Sequence, residues 1–207
     1  MADRNGGNVI FHFKGNDKDL NSKLKSLSSN IVKGLGAAAG AVGTALSYIT
    51  KKSVDAFAEY EQLAGGLESM FGKGSEEMNS ILETSKQAYK DLTMSQNEYL
   101  DSFESAYPLI NAGLSANADG IEYTNKVLQI SSDLYNTFGK NTEYYQSAIE
   151  WAAKGSFMYL DNLHLGITGT NEGFVEAANN AGILGREVQN VKDLTSDEIV
   201  DVIEYYA

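Results

Sequence analysis

Residues 151 to 174, WAAKGSFMYLDNLHLGITGTNEGF, bring together side-chain types that could do acid-base chemistry. Asp161, Asn162 and His164 stand within four positions, and four glycines loosen the backbone around them. Such a loop could be catalytic, with the carboxyl or the imidazole exchanging a proton with a substrate. The same composition also suits a sharply turned packing motif, in which Asx side chains bond nearby amides and glycines take positive φ. His164, flanked by Leu163 and Leu165, reads as a packed or partly exposed loop residue rather than a base.

Two other constellations could carry chemistry. GLGAAAG, with Gly34, Gly36 and Gly40, approaches the glycine-rich turn that lays backbone amides against a dinucleotide pyrophosphate, and Asp55 lies nineteen residues beyond Gly36, where a ribose-binding acid would sit. That turn needs a buried strand before it, whereas KSLSSNIVK carries isolated apolar residues in helical register and no βαβ unit follows. The paired carboxylates Glu76 and Glu77, and Asp197 and Glu198, stand at helix amino ends, where they complement the dipole. His12 and His164 are far apart with no HxH or HxxxH pairing, and there are no cysteines, so neither a thiolate nor an imidazole zinc site is expected. The chain is therefore read as a non-enzyme with no cofactor.

The elements that would position these residues are helical. One proline in 207 residues suits long uninterrupted helices, and 43% apolar composition can fill a core of ordinary size. Residues 8 to 14, NVIFHFK, alternate with the period of a short strand. From Asp17 the apolar period becomes three to four, through Leu20, Leu24, Leu27, Ile31 and Leu35 to Leu67 and Phe71. A helix, or two collinear ones, over about 17 to 71 would be roughly 80 Å long, too long to be packed along its length by the residues that remain. It should project or pair with copies of itself.

After FGKGSEE the helices shorten. Ser75 should cap one with Met78, Ile81, Leu82, Ala88, Tyr89 and Leu92 on its inner face. Ser95 with Glu98 forms a capping box opening a helix with Tyr99, Phe103, Tyr107 and Ile110 inward, kinked at Pro108 and ended by Gly113. A third, with Ile121, Val127, Leu128, Leu134, Tyr135 and Phe138, stops at Gly139; a fourth starts near Asn141 with Tyr145, Ile149 and Ala152. Thr195 with Glu198 opens a last one, still running at Ala207, so the chain reads as the front of a longer protein. The expected fold is mainly α: an N-terminal strand or arm over 1–16, a long Gly/Ala-rich amphipathic helix over 17–72, and a compact bundle of shorter helices over 73–207 that is cut short at its carboxyl end.

Charge is divided unevenly. Residues 1 to 52 carry eight Lys or Arg against three Asp, +5, and residues 53 to 207 carry eight basic against twenty-five acidic, −17. Such an acidic body repels nucleic-acid phosphates, and no basic stripe with interleaved aromatics argues otherwise. Gly34 to Thr50 is a run of seventeen uncharged residues between lysines, short of the ~20 apolar residues a bilayer core needs. Gly36 and Gly40 stand at small-xxx-small spacing, and with Gly34 and Gly43 they mark a close-packing helical seam, or a segment that enters a membrane. No charged n-region followed by an apolar h-region stands at the amino end, so no secretory signal is expected.

KGSFMYLDNLHLGITGTNEGF resembles a stretch in the amino-terminal region of tail tape measure proteins of long-tailed bacteriophages and their prophage relatives. The residues that carry the resemblance are Phe157, Met158, Leu160, Asp161, Asn162, Leu163, Leu165, Gly166, Gly169 and Thr170, preceded in matching order by DAFAEYEQLAGGLESMFG and TMSQNEYLDSF. It covers most of residues 30 to 185. The resemblance implies a structural virion protein that scaffolds tail tube assembly, sets tail length and leaves ahead of the DNA. It also implies self-association, as a trimer or hexamer, contacts with tube proteins and tail assembly chaperones, and an encounter with the host membrane during ejection. It places the chain in the phage tail, and in the host cytoplasm during assembly, with no sequence-specific nucleic-acid binding. The long helical or repetitive middle that does the measuring in that family is missing here. The readings that compete with it are a membrane-active helical pore or toxin using Gly34 to Thr50, and a nucleotide-binding enzyme.

Overall fold

The computed structural model describes residues 39–207 of the chain. Seven α-helices follow one another among them: α1 Ala39–Phe71, α2 Glu76–Leu92, α3 Gln96–Asn111, α4 Gly120–Phe138, α5 Thr142–Ala153, α6 Asn171–Ala181 and α7 Ser196–Tyr206. Short 3-10 turns at Leu160–Leu163 and Val191–Asp193 precede α6 and α7. No strand occurs among the described residues. The strand expected at 8 to 14, the helical stretch 17 to 38, and Gly34 and Gly36 lie outside them.

The chain divides into two compact units between Ala58 and Glu59. That boundary falls earlier than the 72/73 division expected from the sequence, because the last turns of α1 belong to the second unit. Leu63 and Leu67 are buried there with Ile81, Leu92, Tyr99, Phe103 and Leu128. Phe71 sets its ring edge-on to Tyr107 at 4.7 Å between centroids. The described part of the first unit is helical. Gly40, Gly43 and Asp55 lie on this one continuous helix. No helix among the described residues is long and apolar enough to cross a membrane.

Local start and stop signals act where their chemistry predicts. The N–H of Met78 donates to Ser75 Oγ at 3.0 Å, opening α2. Ser95 and Glu98 form both arms of the box at α3: the Ser95 N–H donates to the Glu98 carboxylate at 2.7 Å, and the Glu98 N–H to Ser95 Oγ at 3.2 Å. Asn141 accepts from the Tyr144 N–H at 2.8 Å to open α5, and Glu198 accepts from the Thr195 N–H at 3.1 Å to open α7. Helix α3 runs on through Pro108 to Asn111, and Gly139 stops α4 at φ +80°.

A second core joins α5, both 3-10 turns, α6 and α7 around Ile149, Leu160, Leu163, Phe174, Val200 and Ile203. Three of the apolar residues expected to pack prove exposed: Tyr89 at 77% on α2, and Tyr135 and Phe138 at 38% and 48% on α4; the buried polar position of α2 is Ser85. Its hydroxyl donates to Leu82 O at 2.7 Å and accepts from the Gln96 amide at 3.0 Å, so a serine can occupy the core-facing stripe at no loss of hydrogen bonds.

The loop after α3 crosses the start of α7 closely. The Ser196 N–H donates to Gly113 O at 2.8 Å, and Ser196 Oγ to Ala153 O at 3.0 Å. A methyl added at Gly113 would overlap that buried hydroxyl. Gly113→Ala is therefore expected to cost about 1–3 kcal/mol, seen as a fall of roughly 2–10 °C in melting temperature; an unchanged melt would mean the crossing yields freely.

Candidate functional site

Residues 157 to 170 form a link of fixed angle between α5 and α6. Phe157 stacks on Phe174 of α6 at 4.4 Å between centroids, with 22° between ring planes. Leu160 and Leu163 turn into the core from the 3-10 turn, and Ile167 follows them. His164 closes that turn in the left-handed region at φ +59°, and Gly166 reverses the chain at φ +74°. The Gly169 N–H donates to Asp161 Oδ1 at 3.3 Å. A Cβ on Gly169 would lie 3.0 Å from Asp161 Oδ2 and 3.1 Å from Phe157 O, so the glycine there permits close approach rather than positive φ. Thr170 then caps α6, its hydroxyl accepting from the Gly173 N–H at 3.0 Å. Losing that cap in Thr170→Ala should cost about 1 kcal/mol in a denaturant titration; no change in midpoint would sink the assignment.

The motif's remaining members are not fully buried. Met158 is 64% exposed, Leu165 packs at the core's edge, and Asn162 makes no side-chain bond to a backbone amide, unlike the expectation for it. It lines a cleft of about 390 Å³ between α5 and the turn, with Asn141, Tyr144, Ser147, Trp151 and Tyr159. The Trp151 and Tyr159 rings stand 6.3 Å apart, and the exposed Phe138 lies 5.3 Å from the His164 ring beside them.

No protein-family model, curated protein or solved structure matches this chain.

A larger cavity, about 590 Å³, opens where α3 ends, α5 ends and α6 begins, with Leu109, Lys154, Asn171, Lys192, Leu194 and Ile199 in its wall. Nothing in the sequence singled it out. Its lysines are separated by thirty-eight positions, and only the packing of α5 against the segment before α7 brings them to one wall.

Candidate chemistry elsewhere is absorbed into structure. Asp197 accepts from the Ser115 N–H at 2.9 Å and from the Ser115 hydroxyl at 2.7 Å. Burial pushes this carboxyl up, and the donors around it, Ser115 among them, outweigh burial and hold it below its ordinary range. Asp201 and Glu204 of α7 take Lys126 of α4 at 2.7 and 3.0 Å. Burial and the neighbouring Asp201, which accepts from its hydroxyl at 3.0 Å, push Tyr123 up to about 12. Burial alone would lower Lys126, and its two carboxylates raise it instead.

Glu150 is pushed above its ordinary range by burial, against the opposing pull of the Gln146 amide and Lys154, and it lies in the wall of neither cavity. Among the described residues no three His, Asp or Glu converge as a metal site. Asp161 and His164 are not brought onto a common substrate position: Asp161 is engaged by Gly169 and His164 by Phe138.

Proposed function

We propose that this chain is a structural, non-enzymatic component of a bacteriophage tail, corresponding to the amino-terminal region of a tape measure protein. One observation supports the reading: most apolar residues of the resembling stretch, though not the exposed Met158, are taken up in packing. Phe157, Leu160 and Leu163 are buried, and Asp161 braces Gly169. A stretch used this way fixes the direction of α6 relative to α5 and needs no substrate. The continuous helix from Ala39 to Phe71 suits the same role, since a helix of 33 residues offers a long face for pairing with copies of itself.

In this reading the residues before Glu59, including the Gly34 to Gly43 seam, self-associate, and the helical unit after it docks on tube proteins or assembly chaperones. Light scattering at micromolar concentration should give a trimer or hexamer; a strict monomer counts against it. Mass spectrometry of sedimented tail particles from cells making the chain should find it in fixed proportion to the tube subunit. Its absence from such particles would overturn the proposal.

A further inference from the structure

We propose that the cavity between the ends of α3 and α5 and the start of α6 binds an organic anion, a phosphate or carboxylate joined to an apolar group. Its wall carries two cations, Lys154 and Lys192, and no carboxylate, within a stretch of the chain whose net charge is −17. The described salt bridges engage Lys73, Lys86, Lys126 and Arg186, and neither cavity lysine takes part in one. Lys154 rests its ammonium 5.0 Å from the centroid of the Trp151 ring, a weak contact that an anion readily replaces. Glu150 is near enough to act on Lys154 but is held by the Gln146 amide at 2.7 Å, and Asp197, next to the lining Ser196, is occupied by Ser115.

The remaining wall chooses the shape of the ligand. Leu109, Leu194 and Ile199 give it an apolar floor, and Asn171 is the first residue of α6, a position whose N–H has no acceptor within the helix. Two cations and a helix start, together with aliphatic side chains in the same wall, match a ligand that is anionic at one end and greasy at the other. At about 590 Å³ the cavity has the size of ordinary small-molecule sites.

The proposal is independent of the tail reading, and each can fail without the other. Trp151 is the single tryptophan of the chain, so its emission reports on Lys154 without a label. Titration of the full chain with hexyl phosphate is expected to change that emission saturably and to shift the methyl resonances of Leu194 and Ile199. Hexanoate in its place tests the carboxylate; saturation by either anion supports the site. Inorganic phosphate should bind at least about tenfold more weakly, and hexylammonium not at all.

Replacing both lysines, Lys154→Gln with Lys192→Gln, should weaken hexyl phosphate by about tenfold or more, whereas Lys90→Gln on α2 should leave it unchanged. Equal binding of hexylammonium, equal binding of inorganic phosphate, or full affinity in the double variant would each overturn the proposal. So would the absence of any saturable response to both anions.

Discussion

Replacing Leu163 with alanine is expected to cost the helical unit about 2–5 kcal/mol, measured as a shift of the urea midpoint with little change in slope. The side chain is 0% exposed, in the middle of the turn that joins α5 to α6. Its surroundings have little freedom to close over a void. On one side the Gly169 N–H holds Asp161, and on the other Phe157 is stacked against Phe174, so the backbone is fixed at both ends of the turn. The cost therefore combines lost apolar transfer with an unfilled cavity. Leu160→Ala should behave alike, because that residue is 1% exposed in the same core. Met158→Ala, on the exposed side, should stay within about 0.5 kcal/mol. A melting temperature unmoved by both leucine substitutions would remove the packing role from this stretch, and the structural reading of its motif with it.

Asp197→Ala is expected to cost about 3 kcal/mol near neutral pH, since it strips two hydrogen bonds from Ser115 and leaves their donors facing a partly buried gap. It also has a pH signature. The folded carboxyl titrates below its ordinary value of 3.8, so the folded state binds that proton less readily than the unfolded chain. The stabilisation is thus fully present above the unfolded pKa and is lost as pH falls through the folded one. Glu98, lowered first by the Ser95 backbone N–H it accepts from, adds a contribution of the same sign. Glu150 has the opposite sign, because burial raises it and stability falls as pH rises from 4.5 through its folded value.

Denaturation of wild type and Asp197→Ala at neutral pH and again well below pH 3.8 should show the gap between them shrinking on acidification. A gap independent of pH would mean that Asp197 acts through shape alone.

Much of the helical order follows from short-range chemistry and could be read without a fold. Ser75, Ser95 with Glu98, and Asn141 each satisfy orphan amides within their own first turn, and Gly139 takes a φ of +80° that side chains resist. These interactions span three or four residues, so the sequence contains both partners side by side. The long apolar periodicity into Phe71 likewise predicted the helix that the described residues show. The Asx residues and glycines of 151 to 174 suited a sharply turned packing motif, and Leu160 and Leu163 are buried in that turn.

Other features depended on which helices meet. The apolar stripe of α1 looks the same before and after Ala58, and only the packing of Leu63 and Leu67 against α2, α3 and α4 draws its last turns into the second unit. Tyr89 has the spacing of an inner residue, yet the face of α2 that meets its neighbours is centred elsewhere, with Ser85 inside. The cavity of Lys154 and Lys192 could not have been found from the sequence, because each lysine looks like a solvated charge until two distant segments place both on one wall. The sequence by itself determined where most helices begin and end, though not α6, since those choices are made by neighbours along the chain. The tertiary structure decided which faces are buried, where the units divide and which charges share a cavity, since those depend on contacts between residues that the chain holds far apart.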